Sequence, residues 1–219
     1  MIFRNQLEIA SYFVFIAAFF DLLDGMVARK VNSDQAFGKE LDSLADVISF
    51  GFVPGAMMFK LLQAADLNNY FQSENLVRII QFFPFIITVF SAWRLAKFNL
   101  DKRQSTSFIG LPTPANTLFI VSLPLILSQL PGRYDSIILN PYFIFAISIL
   151  GPYMMISELP LFSMKFKTLD LKDNIFQYIL VALSIVLFPL FLFAAIPILI
   201  FLYILLSVIQ KYTNVNTTK

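Results

Sequence analysis

Seven apolar runs, each close to the roughly 20 residues that span a bilayer as a helix, take up most of this 219-residue chain. They lie at about 7–29, 40–63, 77–99, 113–131, 138–158, 174–192 and 194–211. None shows the period-two alternation of a strand. The expected fold class is all-α: a polytopic membrane helical bundle of about seven transmembrane helices, forming a single integral membrane domain over residues 1–219. Only "LFAAIP" separates the last two runs, which predicts a C-terminal helical hairpin over 174–211. Composition agrees. Hydrophobic residues make up 58% of the chain, against roughly 45–50% in a soluble domain. The 26 Phe suit a lipid-facing surface. No soluble domain, low-complexity tract or clear internal repeat is visible.

Lys and Arg give the orientation. Arg29, Lys30 and Lys39 follow the first run, Lys97, Lys102 and Arg103 the third, Lys165, Lys167 and Lys172 the fifth, and Lys211 and Lys219 the last. All eleven fall on one side, expected to be the cytoplasm; the other side holds Arg4, Lys60, Arg78 and Arg133. A seven-span chain then starts outside, with the connection after its first run in the cytoplasm. The first run ends in Asp and Arg without a small-residue cleavage site, so it does not read as a cleavable signal. Asn216-Thr217-Thr218 fits a glycosylation pattern but falls on the cytoplasmic side and reads as chance.

The chain has no Cys and no His. Disulfides, thiolate nucleophiles and Cys-ligated zinc are excluded, and acid–base chemistry falls to carboxylates, Lys, Tyr or water. The net charge of +2 includes no basic stretch interleaved with aromatics, so nucleic acid is not an expected partner.

Against this background, "FDLLDGMVARKVNSDQAFGKELDSLAD" (20–46) places Asp21, Asp24, Asp42 and Asp46, four of its six carboxylates, at the ends of two neighbouring apolar runs. At 100° per residue, Asp21, Asp24, Gly25, Ala28 and Arg29 fall within roughly 140° of one helix face. Gly38, Asp42 and Asp46, spaced by four, stack on one face of the next helix. A short connection makes these helices antiparallel neighbours, a signature pair over 7–62. An Asp at the bilayer centre costs about 2.5–3.5 kcal/mol, less near the interface, and four like charges in one cleft repel unless protonated or neutralised by cations. All-oxygen ligands suit Mg2+ or Mn2+. Two such ions balance four carboxylates and form a familiar device for phosphoryl chemistry. Gly25 and Ala28 leave a groove for a ligand, Gly38 does the same or ends the loop, and Arg29 is placed to hold a phosphate.

The eight positions Asp21, Asp24, Gly25, Ala28, Arg29, Gly38, Asp42 and Asp46 match in full the pattern D-x-x-D-G-x-x-A-R, eight residues, G-x-x-x-D-x-x-x-D. That pattern resembles the signature of the CDP-alcohol phosphatidyltransferases. The resemblance implies two divalent cations bound by the aspartates, with Asp21, Asp24 and Asp42 as ligands and Asp46 as both a ligand of the second ion and the general base. It implies that Gly25, Ala28, Arg29 and Gly38 line the CDP-lipid site, and that the protein works as a homodimer in a bacterial inner membrane.

Three further stretches resemble the serine-using branch of that family: "DSLADVISFGFVPG" (42–55), "SAWRLAKFNLDKRQSTSFIGLPTPAN" (91–116) and "MISELPLFSMKFK" (155–167). The implied donor is CDP-diacylglycerol and the implied acceptor L-serine. Arg94 and Lys97, one turn apart, are placed to bind the lipid phosphate or the serine carboxylate; the alternative is snorkelling to the interface. Gly110 and Pro112 sit at a helix entrance where close backbone approach is useful, or where a loop simply starts a helix. "KFK" at 165–167 reads foremost as an anionic-lipid anchor, and the final hairpin as scaffold or dimer surface. Rival readings are the same chemistry with glycerol 3-phosphate or inositol phosphate, an intramembrane prenyltransferase (whose Asp motifs lie far apart in the chain), and a cation transporter, which places carboxylates near the midplane in both halves. Family relatives carry one more hydrophobic helix before the signature helix, and "RNQLE" reads like the connection between the two. The expectation is that translation starts upstream of Met1, which moves the N-terminus to the cytoplasm and leaves the signature in place.

Overall fold

The computed structural model describes residues 1–31, 35–100, 108–162 and 174–217. Among the described residues, seven long helical rods follow the seven apolar runs, and the protein is a helical membrane-type bundle. The rods are α1 (Leu7–Val31); α2 (Gln35–Val47) continued by a π-turn (Ile48–Phe52) into α3 (Val53–Ala64); α4 (Glu74–Ile80) leading to α5 (Ile86–Leu100); α6 (Thr113–Gln129); a short α7 (Asp135–Ile138) and then α8 (Pro141–Ile156); α9 (Ile175–Phe191); and α10 (Ala195–Thr217). Among the described residues, three helical stretches, Glu40–Ala64, Glu74–Leu100 and Ile175–Thr213, are long and apolar enough to cross a membrane.

Local sequence explains the breaks. The run expected over 77–99 begins at Glu74, where Ser73 Oγ accepts the Leu76 N–H at 3.4 Å. It is interrupted by a 3-10 turn at Phe83–Phe85, because Pro84 has no N–H for the helical ladder. α8 starts at Pro141 behind Asn140, whose Oδ1 caps the Tyr142 N–H at 2.9 Å. Between α9 and α10 the backbone reverses at Leu192, φ 48°. Phe176 and Tyr203 consequently both reach the ring of Phe162.

The central rod is α6, buried from Ile120 to Ile126. Ala10 and Val14 of α1, Met57, Met58, Leu61 and Leu62 of α3, Ile87 of α5 and Ile144 of α8 form one apolar core with it. A smaller cluster of Leu111, Met155, Leu161, Phe162, Leu180 and Tyr203 joins the C-terminal hairpin to the start of α6. This cluster holds a feature the sequence did not announce: β1 (Phe108–Ile109) pairs antiparallel with β2 (Pro160–Leu161), Phe108 opposite Leu161 and Ile109 opposite Pro160. Two residues per strand are too few to leave an alternation.

The π-turn also went unforeseen. A wider turn displaces carbonyls from the i→i+4 ladder, and in a buried setting they need other donors. Thr117 Oγ donates to the Phe50 carbonyl at 2.8 Å, Ser91 Oγ lies 3.5 Å from the same oxygen, and Thr88 Oγ donates to the Gly51 carbonyl at 3.1 Å. Gly51 permits this approach, since a Cβ there would stand 3.0 Å from Ser91 Cβ. Hydroxyls from α5 and α6 thereby hold the turn that begins two residues after Asp46. Thr117→Val keeps the shape and removes the donor. It is expected to destabilise the protein by about 1–3 kcal/mol in thermal unfolding in detergent; an unchanged midpoint would show that the π-turn needs no clamp.

Candidate active site

Asp42 and Asp46 lie one turn apart on α2, and Asp21 lies in the second half of α1. The structure brings the three together, with one carboxylate oxygen of each within 4.8 Å of the others. Asp21 and Asp46 are half-buried and Asp42 is exposed. Two unit charges at 4 Å repel by about 1 kcal/mol in water and about 4 kcal/mol at the screening typical near a protein surface, so the arrangement favours a bound counter-charge. Its donor set is hard and all-oxygen, which fits Mg2+ or Mn2+ rather than a soft metal. Asp24, Gly25, Ala28 and Arg29 fall on the last turns of α1, and their side chains lie outside the described residues, as does the whole of "KFK" at 165–167.

Gly38 is exposed on α2, and a Cβ built on it would meet nothing within 4 Å. Glycine inside a helix is about 1 kcal/mol worse than Ala, and among the described residues no neighbour requires it. The open space leaves room for a ligand against the helix.

The third wall comes from α5. Asn99 Nδ2 donates to Ser43 Oγ at 2.8 Å, tying the end of α5 to the aspartate-bearing helix. One face of α5 points inward and the other outward: Arg94 is 7% exposed and Trp93 67%. Arg94 Nη1 donates to Thr113 Oγ at 3.2 Å, its guanidinium lies 5.6 Å from the Phe98 ring centroid, and its Nε is buried without an acceptor. Burial weighs most on its charge, and Asp46 lies near enough to offset part of that cost. A buried guanidinium is costly unless its N–H groups are matched, and among the described residues Arg94 makes one hydrogen bond of the five it has donors for. Lys97, one turn on, is half-buried. Arg94 is thus a buried cation beside the carboxylates, not a residue snorkelling to the interface.

Gly110 and Pro112 precede α6. Gly110 sits at φ 75°, and a Cβ there would collide with the Met155 carbonyl oxygen and lie 2.9 Å from that of Ser157. Its position has a packing reason, the docking of this turn onto the end of α8. Pro112, at φ −58° and ψ 139°, sets the extended residue before α6. Thr113, Asn99 and Ser43 were not singled out from sequence. The only signal for them was membership of the stretches 42–55 and 91–116, because nothing local marks a hydroxyl or amide as the partner of a distant helix.

Comparison with known proteins adds an independent line. The family model of CDP-alcohol phosphatidyltransferase matches residues 1–162. A CDP-diacylglycerol–serine O-phosphatidyltransferase from Helicobacter pylori is 36% identical over 118 residues, 53% of this chain and 46% of that protein. Proteins of the same name from Methanocaldococcus jannaschii and Saccharomyces cerevisiae are each 37% identical, over 49% and 54% of this chain and 46% and 42% of theirs. The chain spans about half the length of the curated relatives it matches.

Proposed function

The chain belongs to the CDP-alcohol phosphatidyltransferase family, and on that premise we propose that it transfers the phosphatidyl group of CDP-diacylglycerol to the hydroxyl of L-serine, giving phosphatidylserine and CMP. The observation that carries this is the convergence of Asp21, Asp42 and Asp46 beside a buried Arg94. The serine acceptor is supported by the names of the similar proteins, each a CDP-diacylglycerol–serine O-phosphatidyltransferase.

In this reading Asp21, Asp24, Asp42 and Asp46 would hold two divalent cations, Mg2+ or Mn2+, which when bound would supply charge neutralisation for phosphoryl transfer. Gly25, Ala28, Arg29 and Gly38 line the CDP-lipid site, and Arg29 is placed to pair with a phosphate. The Asp46 carboxylate takes the proton of the serine hydroxyl. The freed oxygen bonds the lipid-side phosphorus, the bond from that phosphorus to CMP breaks, and CMP leaves with the electron pair. Arg94 and Lys97 face the anionic part of the acceptor or the lipid phosphate. The aspartates lie at the cytoplasmic face of a bacterial inner membrane, so serine and CMP exchange with the cytoplasm while the acyl chains enter from the bilayer. The protein works as a homodimer.

Purified protein with Mn2+ or Mg2+, CDP-diacylglycerol and labelled serine is expected to yield labelled lipid and an equal amount of CMP. Transfer to glycerol 3-phosphate with none to serine would keep the family and overturn the acceptor.

A further inference from the structure

The family match ends at residue 162, and the C-terminal hairpin of α9 and α10 lies beyond it. Where the match ends, the hairpin takes hold. Tyr203 Oη donates to the Phe162 carbonyl at 2.8 Å, and Ser207 Oγ lies 3.4 Å from the Phe162 N–H as its acceptor. Both polar groups of one peptide residue are therefore held from adjacent turns of α10. The rings of Phe162 and Tyr203 also meet edge to face, centroids 4.9 Å apart. Tyr203 is 7% exposed and Ser207 2%, so water does not substitute for these contacts.

From Phe162 a bonded path leads to the site. Phe162 follows β2, which pairs with β1. The chain leaving β1 is pinned in turn: Gly110 N–H donates to the Leu159 carbonyl at 2.8 Å and Leu111 N–H to that of Met154 at 2.9 Å. Two residues later comes Thr113, the hydrogen-bond acceptor of Arg94. The ladder itself is only two residues per strand, so the grip on Phe162 at its end adds to the few bonds that hold it.

We infer that Tyr203 is a positioning residue: acting through Phe162, the β1–β2 ladder and Thr113, it sets the Arg94 guanidinium for the anionic group of the acceptor. The hairpin is then part of the acceptor site and not only a lipid-facing scaffold. This rests on the reading of Arg94 given above.

The test is a double-mutant cycle between Tyr203→Phe and Arg94→Lys, read on acceptors with and without a carboxylate, L-serine and L-serinamide. Tyr203→Phe removes one hydrogen bond and keeps the ring. It is expected to raise KM for serine by roughly three- to tenfold, leaving KM for CDP-diacylglycerol and for serinamide within twofold. In the Arg94→Lys background it should add less than a twofold change, because residues acting as one unit are not additive. Ser207→Ala should act in the same direction, as a second route to the same peptide. Multiplying effects in the cycle, or equal losses on serine and serinamide, would make the hairpin a scaffold and overturn the inference. Failure of the serine reading shows separately, as wild-type protein inactive on serine. The cycle then runs on glycerol 3-phosphate against glycerol, with the same two outcomes.

Discussion

Asp46→Asn should reduce phosphatidyl transfer by about 10²–10⁴-fold, the range a positioned general base contributes. The substitution keeps the shape of the side chain and one carbonyl oxygen, so α2 and the π-turn behind it should stay folded. What it removes is the negative charge and the ability to take a proton. Asp46 lies within 4.8 Å of Asp21 and Asp42, so its loss should also weaken cation binding, and the two effects need separating. Mn2+ binding measured directly, and turnover measured at saturating Mn2+, do so. If Asp46 is the base, activity stays low when the cation is saturating. Full recovery at high Mn2+ would leave Asp46 a ligand and require another base.

Gly110→Ala should be the most damaging single methyl addition among the positions described. Its φ of 75° is in the left-handed region, and the new Cβ would collide with backbone oxygens of Met155 and Ser157. Backbone cannot step aside as a flexible side chain can. Strain and overpacking together are expected to cost roughly 2–5 kcal/mol, seen as a lower unfolding midpoint in detergent. Gly132 provides the control. It has φ 79°, but a Cβ there meets nothing within 4 Å, so Gly132→Ala should lose only the conformational term, about 1–2 kcal/mol. Equal losses at the two sites would mean that the turn at Gly110 is not packed on α8 as described. Because Leu111 and Thr113 hang from that turn, residual folded Gly110→Ala protein should also bind acceptor poorly.

Much of this architecture was legible from the chain because membrane helices are announced locally. Run length gives the number of rods, and the i, i+4 spacing of Asp42 and Asp46 gives their common face; the breaks at Pro84 and Pro141 fall inside the expected runs 77–99 and 138–158 and were not read from them. The element ends moved by a few residues, as at Glu74 and Gln35, where polar residues extend the helix past its apolar part. Arg94 was visible as a cation near a helix end. Its burial was not, since the same residue at the same helix position is free to snorkel outward if no neighbour covers it. Gly110 was visible as a glycine with a reason, and the reason is its closeness to the end of α8.

The seven helices and the acidic signature follow from the sequence by itself, because hydropathy and helical period are properties of neighbouring residues. Only the tertiary structure decided that Asp21 meets Asp42 and Asp46, that Thr117 caps a carbonyl 67 residues away, that Arg94 is sealed beside the carboxylates, and that Tyr203 grips a peptide 41 residues earlier. Those partnerships join chain segments that share no local pattern. They exist because a buried polar group must find a partner wherever the helices happen to bring one.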